Sequence, residues 1–223
     1  MDMNRNWLKI IAVISMLIDH IGVYFFADII WFRIVGRLAF VLFAFFIATG
    51  WKKTGNRKKY FFTLLLFACV SQVPYIALNN WKLNILFTYL FALILIYLIE
   101  HLDENKIVHV VEIIAVVLFL VSTESWGFVE YGICGVALVL IFYFIEDKLL
   151  FYSLSTLCLM LMTFEKMALS SFTFENSIQI FSLFSLLLIA LYNGKKGKLN
   201  LKWLFYVFYP LHLCIIYLIL LCI

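Results

Sequence analysis

The sequence predicts an all-α, polytopic bundle of transmembrane helices, and three observations support this. Of the 223 residues, 66% are hydrophobic and only 13% are charged, whereas soluble domains are about half apolar and about a quarter charged. Apolar runs of about 20 residues, the length that a helix needs to span a bilayer, recur from end to end. These runs lack the alternation of apolar and polar residues that is typical of membrane β-strands. We therefore expect one integral membrane domain over residues 1–223.

The first five predicted spans are set by apolar runs and the polar segments between them. Span 7–26 lacks a small-residue cleavage site, so we interpret it as a retained helix and not as a signal peptide. Spans 33–51 and 59–78 flank the basic segment WKKTGNRKK. Spans 84–100 and 107–122 flank the polar segment HLDENK.

The last four predicted spans follow the same logic. Spans 131–146 and 148–164 are separated only by a short polar patch, which makes them the least distinct pair. Span 176–192 follows the longest polar loop, at about 165–175. Span 202–222 follows the basic segment NGKKGKLNLK. The total is nine spans.

The distribution of lysine and arginine predicts the orientation, because basic residues concentrate in cytoplasmic loops. With nine spans, the two basic segments lie on one side together with the amino terminus. We therefore expect a cytoplasmic amino terminus and an external carboxyl terminus. The net charge of +4 does not indicate nucleic-acid binding, since the basic residues cluster in short loops. Anionic membrane lipids would attract the same loops.

Four ionisable residues lie within the first two predicted spans, where the free-energy cost of burying a charge in the membrane must be offset by a partner or by a function. Asp19 and His20 are adjacent in the run MLIDHIGVYF, and point in different directions on a helix. Arg33 and Arg37 are four residues apart, hence on one face of the next helix. We expect Asp19 to pair with Arg37 or Arg33, which leaves His20 able to accept a proton near neutral pH. Such a pair can also serve only to hold two helices together. Ionisable residues inside a membrane more often belong to a functional site, however, and we favour that interpretation.

The last predicted span offers a second candidate site in the segment FYPLHL. Tyr209 and His212 flank Pro210, whose ring removes a backbone hydrogen bond. A purely structural role, in which Pro210 kinks the helix and His212 is hydrogen-bonded within the protein, explains this pattern as well as a functional site does. No zinc-protease or cysteine–histidine motif occurs, so we expect no metal. Membrane topology and attraction to anionic lipid head groups are the first explanation for the basic loops. Binding of an anionic nucleotide-type cosubstrate is the second.

Several blocks of the sequence resemble the TraX family. They include LKIIAVISMLIDHIG, FRIVGRLAFVLFAFFIATG, FACVSQVPY, LNILFTYL, YGICGVALVL, LYNGKKG and FYPLHL, in the family's order and over nearly the whole chain. The resemblance implies a multi-pass protein of the bacterial plasma (inner) membrane. It also implies an acetyltransferase that uses cytoplasmic acetyl-CoA as cosubstrate, with no metal.

The resemblance also suggests roles for individual residues. His20 is the expected base, Asp19 balances charge, and Arg37 with Arg33 stabilises the oxyanion or holds the acceptor. The acceptor would be a pilin-like protein or a surface glycan or amine at the outer side, and no nucleic acid is expected. The residues expected to contact the pantetheine arm or the phosphates of CoA are Tyr209, His212, Asn193, Lys195, Lys196 and Lys198.

Two other functions remain open from the sequence. Buried charges and a proline-broken last span also suit a small-molecule transporter or flippase, although no matching halves are visible. A non-catalytic subunit of a conjugation or secretion assembly would use the same polar residues only to pair helices.

Overall fold

A computed structural model of the chain describes residues 3–79, 81–124, 127–169 and 177–223, and these residues fold into helices. The helices are α1 Arg5–Phe25, α2 Ile30–Lys53, α3 Arg57–Asn79, α4 Ile85–Glu100, α5 Lys106–Glu124, α6 Gly132–Phe144, α7 Lys148–Leu169, a 3₁₀ helix Ile178–Leu183, α8 Phe184–Ala190 and α9 Lys202–Cys222.

Four helices begin where a short polar side chain accepts a hydrogen bond from the first turn. Asn4 Oδ1 accepts from the backbone N–H of the first turn of α1, at 3.0 and 3.3 Å. Asn56, Asn84 and Asp147 do the same for α3, α4 and α7. These side chains satisfy backbone donors that have no partner inside the helix, which fixes where each helix starts.

Most predicted spans match an observed helix within a few residues at each end, but the eighth does not. In place of a continuous span over 176–192, the described residues form the 3₁₀ helix and then the short α8. Together these cover 13 residues, Ile178–Ala190, fewer than the roughly 20 needed to cross a bilayer. Most of the predicted polar loop at 165–175 lies outside the described residues.

Among the described residues, six helices are long and apolar enough to cross a membrane: α1, α2, α3, α5, α7 and α9. Helices α4 and α6 are shorter. The apolar side chains of α5 are mostly exposed, as on a surface that faces lipid. The protein is thus an all-helical membrane protein with six candidate spans, while the count of nine and the orientation stay predictions.

The chain divides into two compact units. The first combines residues Met1–Phe46 with Asp147–Ile223, and the second is Ile47–Glu146. In the second unit α4 packs against α3, α5 and α6. Glu100 at the end of α4 accepts hydrogen bonds from Arg57 at 2.6 Å and from the Tyr143 hydroxyl. This network joins the ends of three helices.

The first unit places the first and last helices side by side. Lys9, early in α1, lies against Phe205, early in α9. His20, late in α1, lies against His212, further along α9. The two helices therefore run parallel, and polar residues of α1 contact residues of α9 at corresponding levels along the helix axes.

Candidate functional site

The carboxylate of Asp19 in α1 accepts hydrogen bonds from two arginines of α2. Arg37 Nη2 lies 2.8 Å from Oδ1 and 3.0 Å from Oδ2 of Asp19, and Arg33 Nη1 lies 2.7 Å from Oδ1. The side chain of Arg37 is only 5% exposed and that of Asp19 16%. The pairing expected from the sequence is confirmed, and it leaves one positive charge unbalanced among the three groups.

Two glycines let α1 and α2 approach closely at this pair. A Cβ at Gly36 would overlap the Asp19 carboxylate, and a Cβ at Gly22 would overlap Phe32. Gly22 follows Asp19 in α1, whereas Phe32 precedes Gly36 in α2, so the helices run antiparallel. The absence of side chains at both positions brings the carboxylate within reach of the guanidinium groups.

The 3₁₀ helix supplies a third contact to Arg37. Gln179 Oε1 accepts a hydrogen bond from Arg37 Nη1 at 3.2 Å. A 3₁₀ helix has three residues per turn, so Gln179 and Ser182 share one face. Ser185, just beyond it, donates from Oγ to Leu38 O at 3.2 Å. All three polar side chains are fully buried, and the three-residue spacing of Gln179 and Ser182 is compatible with the 3₁₀ helix.

His20 and His212 form a pair with defined tautomers. Nδ1 of His20 lies 2.8 Å from Met16 O, and Nδ1 of His212 lies 2.7 Å from Phe208 O. Because a carbonyl oxygen only accepts, each neutral ring carries its hydrogen on Nδ1 and a lone pair on Nε2. The Nε2 lone pair of His212 lies 3.4 Å from Nδ1 of His20. The second candidate site of the sequence analysis therefore adjoins the first.

Aromatic side chains surround the histidine pair. Tyr24 stacks near His20 with ring centroids 6.3 Å apart, and Tyr209 lies 5.6 Å from His212. Tyr209 and His212 are both buried. Within the described part of the chain, Nε2 of His20 has no hydrogen-bond partner. Its Nε2 lone pair is thus not used by the hydrogen bonds of the described residues.

The predicted phosphate-binding residues lie at the other end of α1. Arg5 N donates to Lys195 O and Asn193 N donates to Met3 O, both at 2.9 Å. The loop that follows α8 is thereby fixed to the residues that begin α1. His20 lies 15 residues beyond Arg5, or roughly 22 Å at 1.5 Å per residue. Asn193 and the lysines are thus not brought together with the histidines.

This loop turns sharply at its glycines and exposes its lysines. Gly197 has φ of +80°, and a Cβ there would overlap Asn6. Burial raises the pKa of the Tyr192 phenol, against the opposing charge of Arg5, so this phenol stays protonated at neutral pH. The lysine side chains at 195, 196 and 198 are exposed and face solvent or a head group.

The arrangement around His20 suits proton transfer beside a developing negative charge. The lone pair of Nε2 can take a proton, and the guanidinium groups of Arg37 and Arg33, held in place by Asp19, supply fixed positive charge in the same pair of helices. No group of three His, Cys, Asp or Glu residues in the described ranges could hold a metal ion. Sequence reasoning missed Gln179, for which the three-residue spacing of buried polar residues was the available signal.

Replacing Gly36 by alanine is expected to lower the free energy of unfolding by about 1–3 kcal/mol, the usual cost of overpacking. The added Cβ would displace the Asp19 carboxylate. Thermal unfolding in detergent measures the effect. Gly55→Ala is the matched control, because a Cβ at Gly55 meets nothing within 4 Å; equal melting temperatures for the two variants would contradict the expectation.

Comparison with known proteins identifies the family. The family profile described as TraX protein matches residues 4–220. A probable fimbrial assembly protein FimC, serogroup H1, from Dichelobacter nodosus is 28% identical, over 96% of this chain and 95% of that protein. An uncharacterized protein from Rickettsia prowazekii (strain Madrid E) is 25% identical, over 90% of this chain and 84% of that protein. No solved structure matches the chain. The family profile covers nearly the whole sequence, and the chain therefore belongs to the TraX family.

Proposed function

We propose that this protein is a membrane-embedded acetyltransferase that moves an acetyl group from acetyl-CoA to an amine or hydroxyl acceptor. The observation that supports it most is the lone pair of His20 Nε2, held in one tautomer beside His212. The neighbouring Asp19 anchors two arginines within the same pair of helices. A base next to fixed cationic donors is what acyl transfer from a thioester requires.

In this proposal each group at the site has one task. His20 Nε2 takes the proton of the acceptor as the acceptor's nitrogen or oxygen attacks the thioester carbon. Arg37, assisted by Arg33, donates hydrogen bonds to the oxyanion that forms. The carbon–sulfur bond then breaks, the acetyl group stays on the acceptor, and the CoA thiolate takes the proton back from the His20 imidazolium.

His212 assists His20 in the same scheme. Nδ1–H of His20 donates to Met16 O at 2.8 Å, and Nε2 of His212, 3.4 Å from the same nitrogen, is a weaker second acceptor whose contact strengthens while His20 is an imidazolium. Asp19 is occupied by the arginines and does not orient His20. Met16 O thus fixes the tautomer of His20, as a carboxylate does in a conventional catalytic triad, and His212 adds a second acceptor at the same nitrogen.

The relative from Dichelobacter nodosus suggests the acceptor. Its name refers to fimbrial assembly, which favours a pilin-like surface protein over a surface glycan. The donor would come from the cytoplasm and the acceptor from the outer side of the bacterial plasma membrane. The buried site between helices would let the two substrates meet within the bilayer.

The direct test is acetyl transfer by the purified protein. We expect release of free CoA thiol when acetyl-CoA is supplied with a peptide that has a free amino terminus, and one added acetyl group by mass spectrometry. An amino sugar serves as the alternative acceptor. A transporter or a non-catalytic assembly subunit would release no thiol with either acceptor, and that result would overturn the proposal.

A further inference from the structure

A buried lysine at the start of α1 lies outside the acyl-transfer site described above. The side chain of Lys9 is 9% exposed. Its ammonium nitrogen lies 4.2 Å from the ring centroid of Phe205 and 5.8 Å from that of Phe46. Its hydrogen bond, to Leu201 O, is long at 3.5 Å. An ammonium group has three donors, so the described contacts leave it poorly compensated.

Among the described residues, the charges found to act on Lys9 are positive. Arg5 and Lys196 lie near enough to repel it. The ion pairs of the described residues join other partners, and none joins Lys9 to a carboxylate. Buried charges are ordinarily paired with an opposite charge. A buried cation with two further cations beside it therefore indicates an anionic ligand.

We propose that Lys9, Arg5 and Lys196 bind a phosphate group, and specifically the diphosphate of acetyl-CoA. The assignment to CoA rests on the proposed function. The hydrogen bond from Arg5 N to Lys195 O holds the loop with Lys196 at the start of α1. Three neighbouring cations suit a ligand with several negative charges, and lysine binds phosphate as a point charge. The loop that follows α8 contributes the exposed Lys196, whereas the buried Lys9 lies at the inner end of the proposed site.

The register of α1 supports this assignment. Lys9 and His20 are 11 residues apart, which is close to three full turns, so they share one face of the helix. Their separation along the axis is roughly 16 Å at 1.5 Å per residue. An extended pantetheine arm, which links the diphosphate to the thioester, is of comparable length. A diphosphate at Lys9 would place the thioester beside His20.

The test compares Lys9→Met with the matched control Lys53→Met, a change at an exposed lysine of the other basic loop. In neutral-lipid nanodiscs, we expect Lys9→Met to weaken CoA binding by roughly tenfold or more, the loss of one charged hydrogen bond. Acetyl transfer should show a raised KM for acetyl-CoA. With acetyl-pantetheine, which has no diphosphate, wild type and Lys9→Met should react equally. Lys53→Met should behave as wild type.

Three results would overturn the assignment. The first is unchanged CoA binding in Lys9→Met. The second is an effect of Lys9→Met on melting temperature that appears only in nanodiscs with phosphatidylglycerol, because the phosphate would then belong to a lipid. The third is the same loss of CoA binding in Lys53→Met, since the loss would then reflect basic charge in general and not a site at Lys9. If Lys9→Met fails to fold, the exposed Lys196→Gln replaces it in every arm.

Failure of this inference is distinct from failure of the proposed function. Acetyl transfer with an unchanged KM in Lys9→Met would remove the phosphate site and leave the acetyltransferase. CoA binding that Lys9→Met weakens, without transfer to any amine or hydroxyl, would leave the phosphate site and remove the acetyltransferase.

Discussion

Replacing His20 by alanine is expected to lower kcat for acetyl transfer by about 10²–10⁴-fold, the contribution typical of a general base. The variant loses the only imidazole lone pair that the histidine pair presents to a substrate, since Nε2 of His212 faces His20. Thiol release at saturating acetyl-CoA measures kcat. CoA binding should be retained, because the phosphate site lies at the other end of α1.

His101→Ala is the matched control for this change. His101 makes the same local contact as His20, from Nδ1 to the carbonyl oxygen four residues earlier, at 2.8 Å from Tyr97 O. It belongs to the second unit, so its loss should leave kcat unchanged. Full turnover by a correctly inserted His20→Ala protein would refute the role of His20.

Replacing Asp19 by alanine is expected to lower the free energy of unfolding by about 3–5 kcal/mol, the effect of removing one partner from a buried ion pair. Arg37 would keep its charge at 5% exposure after losing the carboxylate of Asp19. Arg33 is 28% exposed and can be solvated, so most of the cost arises from Arg37. Thermal or denaturant unfolding in detergent gives the value, and acetyl transfer should fall with it.

Two further variants make this prediction specific. Asp28→Ala removes an exposed carboxylate from the connection between α1 and α2 and should cost almost nothing. The double variant Asp19→Leu with Arg37→Met replaces the buried pair by apolar groups and should recover most of the lost stability. Acetyl transfer should stay low in it, because Arg37 is then also missing. A single Asp19→Ala variant as stable as the wild type would show that the pair is not buried in the folded protein.

Much of the helical architecture could be predicted, because apolar runs and capping residues are local signals. The polar patch at 146–148 separated α6 from α7 correctly, and Asp147 caps α7. The 3₁₀ segment was missed because its residues are as apolar on average as those of a span. Its spacing of polar residues at three has meaning only once Arg37 and Leu38 lie opposite.

The part of the site that could be predicted is the ion pair, because a buried carboxylate requires a positively charged partner. Asp19 had to find a cation at its own depth, and Arg33 with Arg37 on one helix face were the available ones. The contact between His20 and His212 joins residues 192 positions apart, and no local sequence pattern predicts it. The burial of Lys9 depends on Phe205 and Phe46 from two other helices, so no local pattern predicts it.

The parallel arrangement of α1 and α9 also determines when this centre can exist during biosynthesis. Membrane helices leave the ribosome in chain order, and α1 must wait in the bilayer while the intervening helices are inserted. Until α9 arrives, His20 has no histidine beside it and the phenylalanine face under Lys9 is incomplete. A nascent chain therefore lacks the complete centre, and a truncation that removes the final helix should abolish the proposed acetyl transfer.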